Sequence, residues 1–274
     1  MKKVLALAMA LALVFSCMSC FAEETFTFKH GFDYDYPPYS YLNDEGEMGG
    51  FDIEVCQAVC AYWGWNYEAV PFAWDSKDAE LGSGSCDCIW SGFTVNGRED
   101  DYTWSIPYSD NTQVILTLAG SGITTLADLA GKIVGVQTAT SAFDLLLDGQ
   151  AELAATFGGL VVSETYTMAI TDLLAGAIDA IAIDITTCQF NISNNDHPEQ
   201  FYVLEEVLGT EQYAAGFRIP DVELRDKVNE ALIALAKDGT IEKIAASKPE
   251  YADILLYLSL NAETADELAA SLAK

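Results

Sequence analysis

The chain predicts an α/β fold with mostly parallel sheets, on three observations. Short β-like apolar runs alternate with helical stretches along the sequence, the pattern that crossover units produce. With 274 residues, 51% of them hydrophobic and 20% charged, the chain has material for one large core or two modest ones, a globular composition. No internal repeat and no low-complexity linker breaks the alternation.

The elements follow in order. Lys2-Lys3 and the run V-L-A-L-A-M-A-L-A-L-V-F form a basic region and an apolar stretch of signal-peptide length, too short to span a bilayer, so residues 1–22 are set apart from the fold. Two processing readings compete: Cys20 and Ala22 are small residues suited to a cut before Glu23, while Val14-Phe15-Ser16-Cys17 is an imperfect lipobox that would lipidate Cys17. Both export the protein, and membrane association is expected only with lipid on Cys17. In G-G-F-D-I-E-V-C-Q-A-V-C-A-Y-W-G, Asp52 and Glu54 favour a helix start, Val55, Cys56, Val59 and Trp63 make an apolar stripe, and Gly64 ends the helix. Strands N-Y-E-A-V and D-C-I-W come next, then a connection through I-P-Y-S-D-N-T. A second α/β set begins at T-T-L-A-D-L-A-G-K, with strand I-V-G-V-Q, helices S-A-F-D-L-L-L-D-G and T-M-A-I-T-D-L-L-A-G, and strand A-I-D-A-I-A-I-D. The last regular helix, ending at Gly239, turns Val222, Leu224, Val228, Leu232 and Leu235 inward.

Charge and cysteine content exclude several functions. Removing residues 1–22 takes away two lysines and no acid, which moves the net charge from −29 to −31. Such a surface repels phosphate backbones, so no nucleic-acid partner is expected; the acidity reads as a solvated surface that keeps an exported protein soluble. Cys56, Cys60, Cys86, Cys88 and Cys188 remain, an odd number whose close spacings suit small buried hydrophobes better than a disulfide scaffold. His30 and His197, the only histidines, stand at no ligand spacing, and neither a metal nor a cofactor is expected.

Three positions carry chemistry. Arg98 lies just past a strand, a planar cation suited to bidentate carboxylate binding. Asp184 ends strand A-I-A-I-D, at the carboxyl edge where open α/β sheets place ligand groups. Thr140 and Ser141 follow I-V-G-V-Q and open a helix whose N–H groups and hydroxyls suit an anion. Taken singly each also reads as an ion pair or a cap; together a cation, an anion and an anion-binding turn describe a site for a zwitterion.

The stretches G-F-D-I-E-V after Y-P-P-Y-S-Y, S-G-F-T with Arg98, I-P-Y, G-K-I-V-G-V-Q-T-A-T-S, G-A-I-D-A-I-A-I-D, and E-L-R-D-K-V-N-E-A-L with K-D-G-T resemble, in order and spacing from about residue 27 to 248, the family 3 extracellular solute-binding proteins. These are the polar amino-acid receptors of ABC transporters. The resemblance implies a two-lobed periplasmic-binding-protein-like (type II) fold with a hinge and a central ligand cleft. Lobe 1 would comprise 25–108 and 213–262, lobe 2 would be 112–208, and 263–274 would be a tail. Arg98 would clamp a ligand α-carboxylate with Thr140 and Ser141 assisting, and Asp184, the Thr94 hydroxyl and the Gly92 carbonyl would take the α-ammonium. Tyr36 and Trp74 would wall the ligand side chain, with core packing as their plain alternative, and Asp33 would meet its far end. Two departures stand out: the Thr94–Arg98 segment is one residue shorter than the usual T-I-T-P-E-R-like pattern, and Ala139 stands where the family commonly has glycine.

The implied protein is a monomeric, periplasmic or cell-surface binding protein, not an enzyme, that captures a polar or basic amino acid and delivers it to a permease. Two alternatives share the fold, a cyclohexadienyl-dehydratase-like enzyme and a sensory receptor.

Overall fold

The computed structural model describes residues 25–272 apart from residue 44; the expected leader, the cut before Glu23 and the lipid site at Cys17 lie outside the described residues. The chain opens with β1 (Thr27–Asp33), a small antiparallel ribbon of β2 (Asp35–Tyr36), β3 (Ser40–Leu42) and β4 (Met48–Gly49), then helix α1 (Phe51–Trp63), β5 (Asn66–Phe72), α2 (Lys77–Ser83), β6 (Cys88–Ile89) and β7 (Thr103–Trp104). The long strand β8 (Ser109–Leu118) leads into β9 (Ile133–Gln137), α3 (Ser141–Leu147), α4 (Ala151–Ala154), β10 (Gly159–Ser163), α5 (Tyr166–Leu174), β11 (Ala180–Asp184), α6 (Ile185–Ser193) and β12 (Phe201–Val203). Strand β13 (Gly209–Tyr213) leads back to β14 (Gly216–Phe217), and α7 (Val222–Lys237), α8 (Thr240–Ala245), α9 (Ala252–Tyr257) and α10 (Ala265–Leu272) complete the described chain.

Two sheets organise two α/β lobes. The first has the order β5-β1-β6-β14-β7; the second has the order β10-β9-β11-β8-β12, with β13 also paired to β8. Strands joined through helices pair in parallel, as β1 with β5 and β6, and β9 with β10 and β11. The expectation of mostly parallel sheets fails elsewhere: β8 runs antiparallel to β11, β12 and β13, and β14 antiparallel to β6 and β7. The reason is connectivity, because β8 and β14 enter their sheets from the other lobe and not through a crossover helix. Where the chain passes between lobes, the two passing segments bond to each other: Tyr108 N–H donates to Tyr213 O and Ser105 N–H to Ala215 O, both at 2.9 Å.

Helix α1 shows how the sequence sets this frame. Val55, Cys56 and Val59 are buried as expected and Trp63 is half-buried, its Nε1 donating to Lys227 O on α7 at 2.9 Å. The helix starts at Gly50, at φ 128°, where an added Cβ would stand 2.2 Å from Tyr39 O. Along α7, Val228, Leu232 and Leu235 are buried and Leu224 half-buried, but Val222 is 42% exposed, contrary to expectation. It lies in the first turn, before the helix reaches the core. Nor is α7 the last regular helix: α8, α9 and α10 follow, and α10, inside the expected tail, packs on α7 with Lys237 Nζ 2.5 Å from Asp266 Oδ1. All five cysteines of the described chain are free and buried, and burial pushes the Cys86 thiol up to about 12.

The core also holds ionisable groups. Asp52, in the first turn of α1, is fully buried and accepts from Gly92 N–H and Tyr108 O–H, both at 2.7 Å, so it is a strut between α1 and the strand end at Gly92 as well as a first-turn acid. Burial raises its carboxyl to about 7, and burial likewise raises Asp33 and Glu211 to about 7. His30 bonds Trp90 O at 2.6 Å and Tyr67 Oη at 3.0 Å, and burial lowers it to about 4.

Two predictions follow from these packing facts. Gly50→Ala is expected to lower stability by about 3 kcal/mol, read as a shift in urea midpoint, because the new methyl meets a backbone oxygen at a strained φ. Between about pH 4 and 7 the folded state retains protons on the three raised acids that the unfolded chain has lost, so their contribution falls as pH rises through that window. His30 acts the other way: below about 6.5 the unfolded imidazole takes up a proton that the folded one refuses until about 4. Three acids outweigh one imidazole. The ligand-free protein should therefore be a few kcal/mol more stable near about pH 5.5 than near about pH 8, measured by thermal denaturation at constant ionic strength; a profile that rises toward alkaline pH would mean these acids are ionised in the fold.

Candidate functional site

The carboxyl ends of strands from both sheets converge on one gap. Strand β1 ends at Asp33, β6 leads to Ser91 and Gly92, β9 ends at Gln137 just before Thr140, and β11 ends at Asp184. Between them lies a small cavity. All nine residues singled out from the sequence line it, namely Asp33, Tyr36, Trp74, Gly92, Thr94, Arg98, Thr140, Ser141 and Asp184, together with Ser91 and Gln137.

Each is held by identifiable contacts. Asp33 is buried and accepts from Asp35 N–H at 2.9 Å and from Gln137 Nε2 at 2.9 Å, across the gap. Tyr36 stacks on Tyr39, with ring centroids 5.7 Å apart, and its hydroxyl meets the Tyr213 hydroxyl at 2.8 Å. Trp74 donates its indole N–H to Ala139 O at 3.0 Å. Gly92 sits at φ 52° against the Tyr36 ring, whose Cε1 would be 2.5 Å from an added Cβ, so only glycine fits there. Thr140 caps α3, accepting from Phe143 N–H at 3.2 Å and donating to Gln137 O at 2.8 Å.

Arg98 occupies a more particular position than the sequence suggests. Val95-Asn96-Gly97-Arg98 forms a tight turn, with Arg98 N–H donating to Val95 O at 2.9 Å, Gly97 at φ 81° and Asn96 Oδ1 receiving Gln212 N–H at 2.9 Å. This is how the segment one residue short is closed. The guanidinium lies 5.4 Å from the Phe93 ring centroid, and its Nη2 reaches Asp144 Oδ2 at 2.7 Å and Ala139 O at 3.3 Å. It therefore has an intramolecular carboxylate partner on α3, which the sequence reading did not foresee. Ala139, where glycine is usual in the resembled pattern, adopts φ 55°, a left-handed conformation that costs a residue with a Cβ roughly 1 kcal/mol.

Sequence reasoning missed a polar layer behind the cavity. The Asp184 carboxylate accepts from Asn111 Nδ2 at 2.8 Å, Gln113 Nε2 at 2.5 Å, Tyr213 Oη at 2.7 Å and Tyr166 Oη at 3.1 Å. Glu211, also buried, shares both amides. Asn111 and Gln113 share one face of β8 and Glu211 and Tyr213 one face of β13, a period of two that burial shows but that the all-polar run S-D-N-T-Q does not display in its residue types. That run was read as part of a connection.

The halves touch around the rim, through Tyr34 O–H to Glu164 Oε1 at 2.6 Å and Thr167 O–H to Asp35 Oδ1 at 2.9 Å. Electrostatically the site is acidic: Asp33 and Asp184 line the cavity, Glu211 stands behind it, and the one guanidinium in the lining is itself paired. Among the described residues no cluster of three or more His, Cys, Asp or Glu is placed to hold a metal.

Comparison with known proteins agrees with this architecture. The arginine-binding protein 1 of an Escherichia coli K12 ABC transporter is 28% identical over 250 residues, covering 89% of this chain and 98% of that protein. A histidine-bound substrate-binding protein of an ABC uptake transporter from Streptococcus pneumoniae superposes with a TM-score of 0.78 at 31% identity, over 81% of this chain and 91% of the other. The ancestral amino-acid-binding protein AncCDT-1, a precursor of cyclohexadienyl dehydratase, superposes at 0.72 with 26% identity, over 81% and 94% of the two chains. The pattern of the bacterial extracellular solute-binding proteins, family 3, matches residues 28–247, and the chain belongs to that family.

Proposed function

We propose that the protein captures a free, polar or basic amino acid in the gap between its lobes and delivers it to an ABC permease. The observation that carries this reading is that one small cavity receives a guanidinium, Arg98, from one side and a buried carboxylate, Asp184, from the other. Lobe 1 comprises residues 25–108 and 213–262, and lobe 2 comprises 112–208. Arg98 takes the ligand carboxylate, and Thr140 and Ser141 assist from lobe 2. Asp184, Thr94 and the Gly92 carbonyl take the ammonium. Tyr36 and Trp74 wall the side chain, and Asp33, with Asp35 behind it, meets a polar or cationic end. Relatives that bind arginine or histidine support this class.

Function follows from closure. Each lobe supplies part of the ligand's partners, so the ligand favours the closed form by the contacts it makes only there, and a permease can read that form. A shift from 1:99 to 99:1 takes about 5.5 kcal/mol of differential binding, within reach of a few charge-assisted hydrogen bonds. In this reading the protein is exported, is cut after Ala22, acts as a monomer and makes or breaks no bond. A lipid on Cys17 is the competing anchor. Asp33, a proton-bearing acid in the cleft, and the likeness to AncCDT-1 favour a second reading as a dehydratase, which product formation from arogenate or prephenate would establish.

A thermal-shift screen against the common amino acids tests the main reading. A ligand at 100 times its Kd should add about 2.7 kcal/mol of stability. Free amino acids should stabilise the protein while their α-amides and N-acetyl forms do not; equal stabilisation by a blocked analogue overturns the zwitterion site. Arg98→Ala and Asp184→Ala should each cost about 2–5 kcal/mol of binding in calorimetry, with folding retained, because each strands a ligand charge. Asp33→Asn should weaken arginine or lysine more than glutamine, since only the cations lose an ion pair; glutamate displacing all three would place Asp33 outside the recognition of the side chain.

A further inference from the structure

We propose that Glu211 is the positioning residue of the ammonium subsite, and that it couples ligand capture to release of a proton. The inference rests on the amino-acid reading above and begins from geometry. Glu211 Oε1 accepts from Thr94 Oγ1 at 3.0 Å, Ser141 Oγ at 3.2 Å, Asn111 Nδ2 at 2.7 Å and Gln113 Nε2 at 2.9 Å. The same two amide nitrogens reach Asp184 Oδ1. An amide nitrogen has two N–H bonds, so each amide spans the two carboxylates and holds them one nitrogen apart.

The groups around the pair supply no compensating charge. Asp184 faces Glu211 from β11, and Tyr166 of α5 and Tyr213 of β13 face Asp184, their hydroxyls raised by burial and then by its charge. Arg98 and Asp144 share with Glu211 the wall of an adjoining cavity, where they are paired with each other. Among the described residues neither Asp184 nor Glu211 forms an ion pair. Two buried, like-charged acids without a cation repel, and the pair relieves this by keeping a proton. Burial, and then the charge of Asp184, raises Glu211 to about 7.

Protonation changes what Thr94 presents. An ionised Glu211 accepts the hydroxyl hydrogens of Thr94 and Ser141, which turns the lone pairs of Thr94 toward the cavity, where an ammonium can donate to them. A protonated Glu211 must place its proton on Oε1, at the expense of an amide donor, or on Oε2, and either way it loses the charge that holds those hydroxyl hydrogens away from the ammonium. The ionised form is therefore the binding form. An arriving ammonium supplies the missing positive charge, the carboxyl O–H bond breaks heterolytically, and the proton leaves to solvent.

Isothermal titration of the protein with L-glutamine, L-arginine and L-lysine, in phosphate and in bis-tris at about pH 6.5, counts the protons from the difference in heat. The wild type should release a sizeable fraction of one proton, and its Kd should tighten by up to about tenfold per pH unit between about pH 5.5 and 7 and level off above about 8. Glu211→Gln keeps an acceptor oxygen but cannot titrate, so it should lose that share of the release and flatten the profile. Asp33 contributes equally to both proteins, so the difference between them is the readout. Equal release and equal pH dependence in the two proteins overturn the inference. Carboxyl 13C shifts of glutamate-labelled wild type give a second reading that needs no variant: one glutamate should titrate near about 7 without ligand and not when saturated, and its absence likewise overturns the inference. No binding of any common amino acid overturns the amino-acid reading itself, which separates the two failures.

Discussion

Four donors converge on the Asp184 carboxylate, and the architecture of the molecule is organised around supplying them. Two are amides on β8, one is a hydroxyl at the end of β13, and one comes from α5. The two strands that carry three of these donors are those that pass between lobes, so the same residues that connect the halves also satisfy the charge at their junction. A buried carboxylate without such donors would cost several kcal/mol. Tyr213 extends the network to Tyr36 in the first lobe, so one carboxylate is felt on both sides of the hinge.

Closure is then a balance of small terms. Gln137 to Asp33, Trp74 to Ala139 and Arg98 to Asp144 each cross the gap, and each is worth on the order of 1 kcal/mol. Against them stand the desolvation of three acids and the left-handed backbone at Ala139. Such near cancellation leaves the outcome to any small molecule whose own contacts are of the same size as the sum.

The sequence made periodic and chemically marked features legible. Helix α1 was visible because its apolar stripe and closing glycine agree, and β9 and β11 because short apolar runs end in polar residues at the sheet edge. The nine residues line one cavity because each stands at a strand end or in a loop at the edge of its sheet. Less legible was whatever depended on the chain passing twice between lobes. The start of β8 looks like a loop because five consecutive polar residues, Ser109 to Gln113, follow soon after Pro107, and only its partner β13 makes it a strand. Glu211 looked like one more acid among 42, since nothing local distinguishes a buried glutamate from a solvated one. Val222 misled because a stripe marks a helix face but not where along the axis the core begins.

The five buried thiols set a kinetic condition on the protein's birth. Once folded, each is buried and shielded from oxidants. Before folding, Cys56 and Cys60 are exposed and separated by only three residues, and a bond between them would require Cβ atoms about 4 Å apart. Residues one helical turn apart hold their Cβ atoms at about 5–6 Å, so such a bond and α1 exclude each other. In an oxidising compartment the chain must therefore wind that helix faster than its sulfurs are oxidised, and the integrity of the first lobe becomes a race between coil-to-helix collapse and thiol chemistry.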